Sequence, residues 1–133
     1  MNRRNFKAIP EETERIATLI IDAAFQVHKT LGPGLLEKVY EVCLCHELKK
    51  RNLRFKRQVN IPIIYDNITF EEGYRIDVIV ENQIIIELKA CDKHNSVWDA
   101  QILSYLRLTE NRLGLLINFN VPLIRQGIKR IIL

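Results

Sequence analysis

The chain places Asp77 in Tyr74-Arg75-Ile76-Asp77-Val78-Ile79-Val80 and, ten residues later, Glu87 and Lys89 in Ile84-Ile85-Ile86-Glu87-Leu88-Lys89-Ala90. Two carboxylates that converge can hold a hard divalent cation through oxygen, and a nearby ammonium can position a water or neutralise charge developing on a phosphate. The flanking residues are apolar and β-branched, so these charged groups stand where a hydrophobic sheet is expected. The chemistry this implies is metal-dependent cleavage of a phosphodiester.

Two strands must hold these groups. Side chains alternate along a strand, so Glu87 and Lys89 share a face with Ile85, while Ile84, Ile86 and Leu88 form an apolar face. On the preceding strand Ile76, Val78 and Val80 are expected to point to the core, leaving Asp77 with Arg75 and Ile79. A three-residue connection, Glu81-Asn82-Gln83, would pair Val80 with Ile84 and set Asp77 opposite Glu87. A two-residue turn would pair Asp77 with Leu88 and turn it to the wrong face unless a bulge restored the phase. Chemistry at this pair therefore requires one register.

The remaining elements follow from periodicity. Glu11 to Lys29 has helical spacing through Ile16, Leu19, Ile20, Ala23, Ala24 and Val27, with acids in its first turn and Gly32-Pro33-Gly34 to end it. A second helix runs from Leu35 to Arg51 on Leu36, Val39, Tyr40, Cys43, Leu44 and Leu48, with Asn52 as its stop. Strands are expected over Val59–Tyr65, Ile68–Glu71, Arg75–Val80 and Ile84–Ala90, with Pro62 marking an edge position or a bulge. A helix from Val97 to Thr109, carrying Trp98, Ile102, Leu103, Leu106 and Leu108, precedes strands over Leu113–Phe119 and Gln126–Leu133. The order is ααββββαββ in a single α/β domain spanning 1–133, with no internal repeat or linker.

Composition sets outer bounds. The hydrophobic share of 47% and charged share of 27% suit a soluble globular chain of 133 residues. No apolar run is long enough for a membrane span and no signal-type segment opens the chain, so a cytoplasmic protein is expected. Cys43, Cys45 and Cys91 are odd in number and lack zinc-ligand spacing, which favours reduced thiols. The net charge of +4 tilts toward polyanionic partners. The basic runs at 49–57 and 125–130 read first as solvated element ends.

Three further residues bear on the site. Glu37 follows Gly32-Pro33-Gly34 in the first turn of the second helix, where an acid also simply complements the helix dipole. Gln101 and Tyr105 are four apart on one helical face, read as distinct from the Ile102/Leu106 stripe. Taken alone, Glu87 and Lys89 fit equally well as exposed, ion-paired positions on a half-solvated sheet.

The ordered set changes that balance. Glu37 on a helix, Asp77 on a strand, Glu87-Leu88-Lys89 on the next and Gln101-x-x-x-Tyr105 on the following helix resemble the PD-(D/E)xK nuclease superfamily. The Gln-x-x-x-Tyr element is similar to its RecB-like branch. Gly34-x-x-Glu37-x-x-Tyr40, after His28-Lys29-Thr30-Leu31-Gly32-Pro33, resembles the small GxxExxY family within it. One departure is that Ile76, not proline, precedes Asp77. The resemblance implies a restriction-endonuclease-like core, a central mixed sheet flanked by helices, and a metal-dependent nuclease acting on nucleic acid, DNA first. It implies that Asp77, Glu87, the Leu88 carbonyl and Glu37, directly or through water, hold Mg²⁺ or Mn²⁺. Lys89 would orient the attacking water, and Gln101 and Tyr105 would orient Lys89 or contact the nucleic-acid backbone. Arg75, Gln58 and His28 would contact phosphate, although His28 also reads as a locally satisfied helix-end residue.

Two other readings use the same fold. One is a catalytically silent nucleic-acid or protein-binding module carried by the basic residues. The other is an interaction protein that forms a homodimer through an edge strand at Ile131-Ile132-Leu133, although that segment is expected inside the sheet.

Overall fold

The structure is a computed structural model that describes residues 7–133; the first six residues of the expected 1–133 domain lie outside the described residues. Helix α1 (Glu11–Leu31) and helix α2 (Glu37–Lys50) precede strands β1 (Phe55–Tyr65), β2 (Ile68–Val80) and β3 (Ile84–Lys89). Helix α3 (Ser96–Thr109), strand β4 (Leu113–Asn118), a short 3₁₀ turn (Ile124–Gln126) and strand β5 (Ile128–Ile132) complete the chain. The sheet order is β1-β2-β3-β4-β5. Only β3 and β4 are parallel, with α3 as their crossover, so the sheet is mixed and the α/β class holds.

The helices cover both faces. One core joins Ile16, Ile20, Ala23 and Val27 of α1 and Tyr40, Leu44 and Leu48 of α2 to Val78, Val80, Ile84, Ile86 and Leu88. A smaller core on the other face joins Ile102, Tyr105 and Leu106 of α3 to Ile76, Ile79, Ile85, Leu116 and Ile131. Glycine at 32 ends α1 with φ of 68°, a conformation that side chains with a Cβ resist. None of the helices among the described residues is long and apolar enough to cross a membrane.

Several expectations change. The segments Ile68–Glu71 and Arg75–Val80 are one strand, because Glu71-Glu72-Gly73 is not a turn but part of an irregularity opposite Pro62. The register passes from Ile61↔Tyr74 to Ile63↔Phe70 there, on an edge strand, as Pro62 suggested. Gly73 is required by this crossing: a Cβ built on it would stand 1.9 Å from the Ile61 carbonyl oxygen. Gly73→Ala should therefore force β1 and β2 apart and cost roughly 1–3 kcal/mol in chemical denaturation; an unchanged midpoint would show that β1 can move aside.

Leu36 precedes α2 and is 76% exposed, and Val39 within the helix is also exposed, because the buried stripe runs instead through Tyr40, Glu41, Leu44, Cys45, Glu47 and Leu48. In α3, Leu108 is exposed and Tyr105 joins Ile102 and Leu106 in the core, so the Tyr105 face is not separate from that stripe. The final strand lies at the sheet edge rather than inside it. Its pattern explains why: Ile131 is buried while Lys129 and Arg130 face solvent, as suits a protected edge.

Candidate active site

The β2–β3 hairpin has the register the chemistry requires. Val80 pairs with Ile84, Ile79 with Ile85 and Val78 with Ile86, around Glu81-Asn82-Gln83. Glu81 and Asn82 both adopt left-handed backbone, φ 52° and 53°, which tightens the turn and matches the strand twist. Continued by one residue, that register brings Asp77 opposite Glu87.

At that point side chains replace the backbone ladder. The Asp77 amide donates to Glu87 Oε1 at 3.3 Å, and the Leu88 amide donates to Asp77 Oδ2 at 2.8 Å. Each carboxylate is held by an amide of the opposite strand, and the bonds occupy one oxygen of each. Strand β2 also changes phase here: Val78 and Val80 enter the α1/α2 core, whereas Ile76 enters the α3 core, contrary to the simple alternation expected for Ile76, Val78 and Val80.

Burial makes the pair costly. Glu87 is only 7% exposed. Burial, and then the charge of Asp77, push its carboxyl up to about 8, with the Lys89 charge working in the opposite direction. Tyr105 is buried over the same face, and burial followed by the Glu87 and Asp77 charges pushes its hydroxyl up to about 12. It is therefore a proton donor at neutral pH. Its ring meets Tyr74 edge-on at 5.3 Å.

Lys89 is half-buried at the end of β3, and its ammonium lies over the Trp98 ring, 5.2 Å from the centroid. Trp98 in turn meets His94 edge-on, and His94 and Lys129 both pair with Asp99, which ties the first turn of α3 to β5. Glu37, the first residue of α2, is exposed. Although the residue as a whole is exposed, partial burial of its carboxyl end, then the Asp77 charge, raise its pKa, and Lys89 lowers it, so it lies within electrostatic reach of the site. Among the described residues no three His, Cys, Asp or Glu side chains form a metal-holding group. In this arrangement Glu37 stands outside the Asp77/Glu87 pair.

The other expected residues divide. Arg75 is exposed on β2, two residues from Asp77. Gln101 is half-buried one turn before Tyr105. His28 makes a structural contact: its Nε2 is 2.8 Å from the Val121 carbonyl, its ring is buried, and it docks α1 on the loop after β4. The Gln58 amide is engaged by Glu41 at 2.6 Å rather than free. Much of the basic charge is likewise spent internally, Arg51 on Asp22 and Glu47, Arg57 on Glu41 and Arg130 on Glu14.

Sequence reasoning missed Glu41 and the role of Trp98. Glu41 had a signal, since Glu37 and Glu41 are like charges four apart on a helix, a pairing that is unfavourable unless one finds a partner. Tyr40, part of the Gly34-x-x-Glu37-x-x-Tyr40 segment, is structural. Its hydroxyl donates to the Gly32 carbonyl at 2.6 Å and accepts from the Leu35 amide, and its ring stacks on Phe119 at 4.5 Å, fixing the loop that delivers Glu37.

The donor set fits a hard cation. Both acids present oxygen, one oxygen of each is not used by the amides, and a positive ion offsets the cost of a buried carboxylate beside a second one. Comparison with curated proteins and with solved structures finds no match. A family model described as the PD-(D/E)XK nuclease superfamily matches residues 14–131, a span that takes in both strands, both carboxylates, Lys89 and the α3 face above them, and the chain belongs to that superfamily.

Proposed function

We propose that this protein hydrolyses phosphodiester bonds of nucleic acid, DNA foremost, with a divalent cation held by Asp77 and Glu87. The observation that carries this is the crossed pair itself: two carboxylates, one buried, fixed by each other's strand and within electrostatic reach of Lys89. The Leu88 carbonyl would add a ligand and Glu37 a contact through water. Mg²⁺ suits such a site, because it keeps several waters and uses few carboxylates, with Mn²⁺ as its substitute. When bound, the cation supplies Lewis-acid polarisation of a phosphate oxygen.

The chain's own groups do the rest. Lys89, steadied by Trp98, presents an ammonium to the attacking water or to the charge developing on the phosphate. Tyr105 keeps its proton and donates a hydrogen bond, Gln101 lines the same helix one turn away, and Arg75 offers an exposed guanidinium to the backbone phosphates. The small GxxExxY family and the RecB-like branch are the closer placement we propose within the superfamily.

Cleavage of single- and double-stranded DNA and of RNA, with Mg²⁺ or Mn²⁺ and with chelator, tests this reading. Metal-dependent cleavage lost in Asp77→Asn supports it. Salt-sensitive binding without cleavage under any metal would favour the silent binding module instead.

Protonation gives a separate expectation. Glu87 has a folded value near 8 against an ordinary 4.5, so the folded protein holds a proton that the unfolded chain has lost. Metal-free stability should therefore fall as pH rises through that window, and a cation that needs ionised Glu87 should bind more tightly with rising pH, by up to about tenfold per unit. The rise in melting temperature on adding Mg²⁺ should be larger near pH 8 than near pH 6; an equal rise at both would place the ion elsewhere.

A further inference from the structure

We propose that Glu41 and Gln58 are positioning residues that hold Asp77 in place by locking a break in the β1–β2 ladder. The inference rests on the reading of Asp77 as one of the two site carboxylates. Strands β1 and β2 keep one register on both sides of the break, Arg57↔Val78 before it and Val59↔Ile76 after it, so Gln58 is the residue opposite Asp77, yet the two do not pair. Gln58 has φ of 51°, left-handed backbone in the middle of a strand. For a residue with a Cβ that conformation is strained and persists only where the surroundings impose it.

Both strands change face at this position. Phe55 packs against the α1/α2 core, while Val59 and Ile61 pack against the α3 core. Opposite them, Val78 belongs to the first core and Ile76 to the second. The slip of one residue in each strand is what leaves Asp77 free of the ladder, so that its carboxylate takes the Leu88 amide at 2.8 Å.

Glu41 is what imposes the slip. It is 4% exposed on α2, and its Oε1 accepts from Gln58 Nε2 at 2.6 Å while its Oε2 accepts from Arg57 Nε at 3.0 Å and Nη2 at 2.5 Å. A buried carboxylate thus holds two consecutive strand residues by three charge-assisted bonds, two of them to the Arg57 guanidinium. Partners that orient a metal ligand are worth about 10- to 100-fold in metal affinity, and this clamp acts on Asp77 through the strand it fixes.

The test is amide hydrogen exchange and Mn²⁺ titration on Gln58→Ala, Gln58→Gly and Glu41→Gln. In metal-free Gln58→Ala the Leu88 amide should lose about tenfold or more of its protection, with Leu115 in β4 unchanged, and Mn²⁺ affinity should fall by about tenfold. Gln58→Gly removes the clamp but tolerates positive φ, so it should show the same two losses with a melting temperature at or above wild type. It keeps the question open to decision should the alanine variant fail to fold. Glu41→Gln sets an amide donor against Arg57 and should match Gln58→Ala. Unchanged Leu88 protection and Mn²⁺ affinity in the glycine variant would overturn the proposal, as would a loss of protection spread equally over all sheet amides. A wild type that cleaves nothing while Leu88 still responds would count against the nuclease reading alone.

Discussion

Glu87→Gln is expected to raise the melting temperature of the metal-free protein and, in the same step, to remove divalent-ion binding and cleavage. The neutral amide has nearly the same shape, and its oxygen can still accept from the Asp77 amide, as Glu87 Oε1 does. What it removes is the cost of a carboxyl displaced from 4.5 to about 8 by burial and by Asp77. At about 1.4 kcal/mol per unit, that cost is on the order of 3 kcal/mol at pH 7 and grows until the group ionises. The gain in stability should therefore be larger at pH 8 than at pH 4, where both folded and unfolded chains hold most of their protons at this group. Site residues held against their own stability are where such a trade is expected. Thermal denaturation at the two pH values, paired with Mn²⁺ titration, reads both halves; a variant less stable than wild type at pH 8 would show that the Glu87 carboxyl is not strained.

Lys89→Met should act oppositely, leaving Mn²⁺ affinity close to wild type while lowering cleavage by about 10²- to 10³-fold, the usual loss when one group that stabilises developing charge is removed. The methionine keeps the unbranched stem and can still pack on Trp98. Trp98 is the only tryptophan in the chain, so its emission reports directly on the ammonium over its ring. A change in emission with an unchanged cleavage rate would take Lys89 out of the chemistry while confirming the contact. Lys89→Arg should recover part of the rate at most, because a planar guanidinium does not place its charge where the ammonium does.

How much of this could be read from residues alone depended on range. The β2–β3 register was legible because it is local: alternation through Asp77-Val78-Ile79-Val80 and the length of Glu81-Asn82-Gln83 leave one pairing that brings the acids together. The helices around Gly32-Pro33-Gly34 were legible for the same reason. The join of Ile68–Glu71 to Arg75–Val80 was not legible, because nothing local to Gly73 tells that it admits the Ile61 carbonyl of a neighbouring strand. Tyr105 misled because a tyrosine four from Gln101 looks like half of a polar face, yet α3 buries it against the site. The Glu41–Arg57–Gln58 clamp could not be read at all in advance. Its members lie 16 and 17 residues apart, and its sign is a backbone conformation that periodicity does not encode.

A crystal grown with Mn²⁺ and measured for anomalous scattering is the most direct test that Asp77 and Glu87 share a divalent ion. The expected result is a peak in contact with both carboxylates, present in wild type and lost in Glu87→Gln. No peak between them at millimolar Mn²⁺, or side chains turned to opposite faces of the sheet, would contradict the assignment on which the proposed hydrolysis depends.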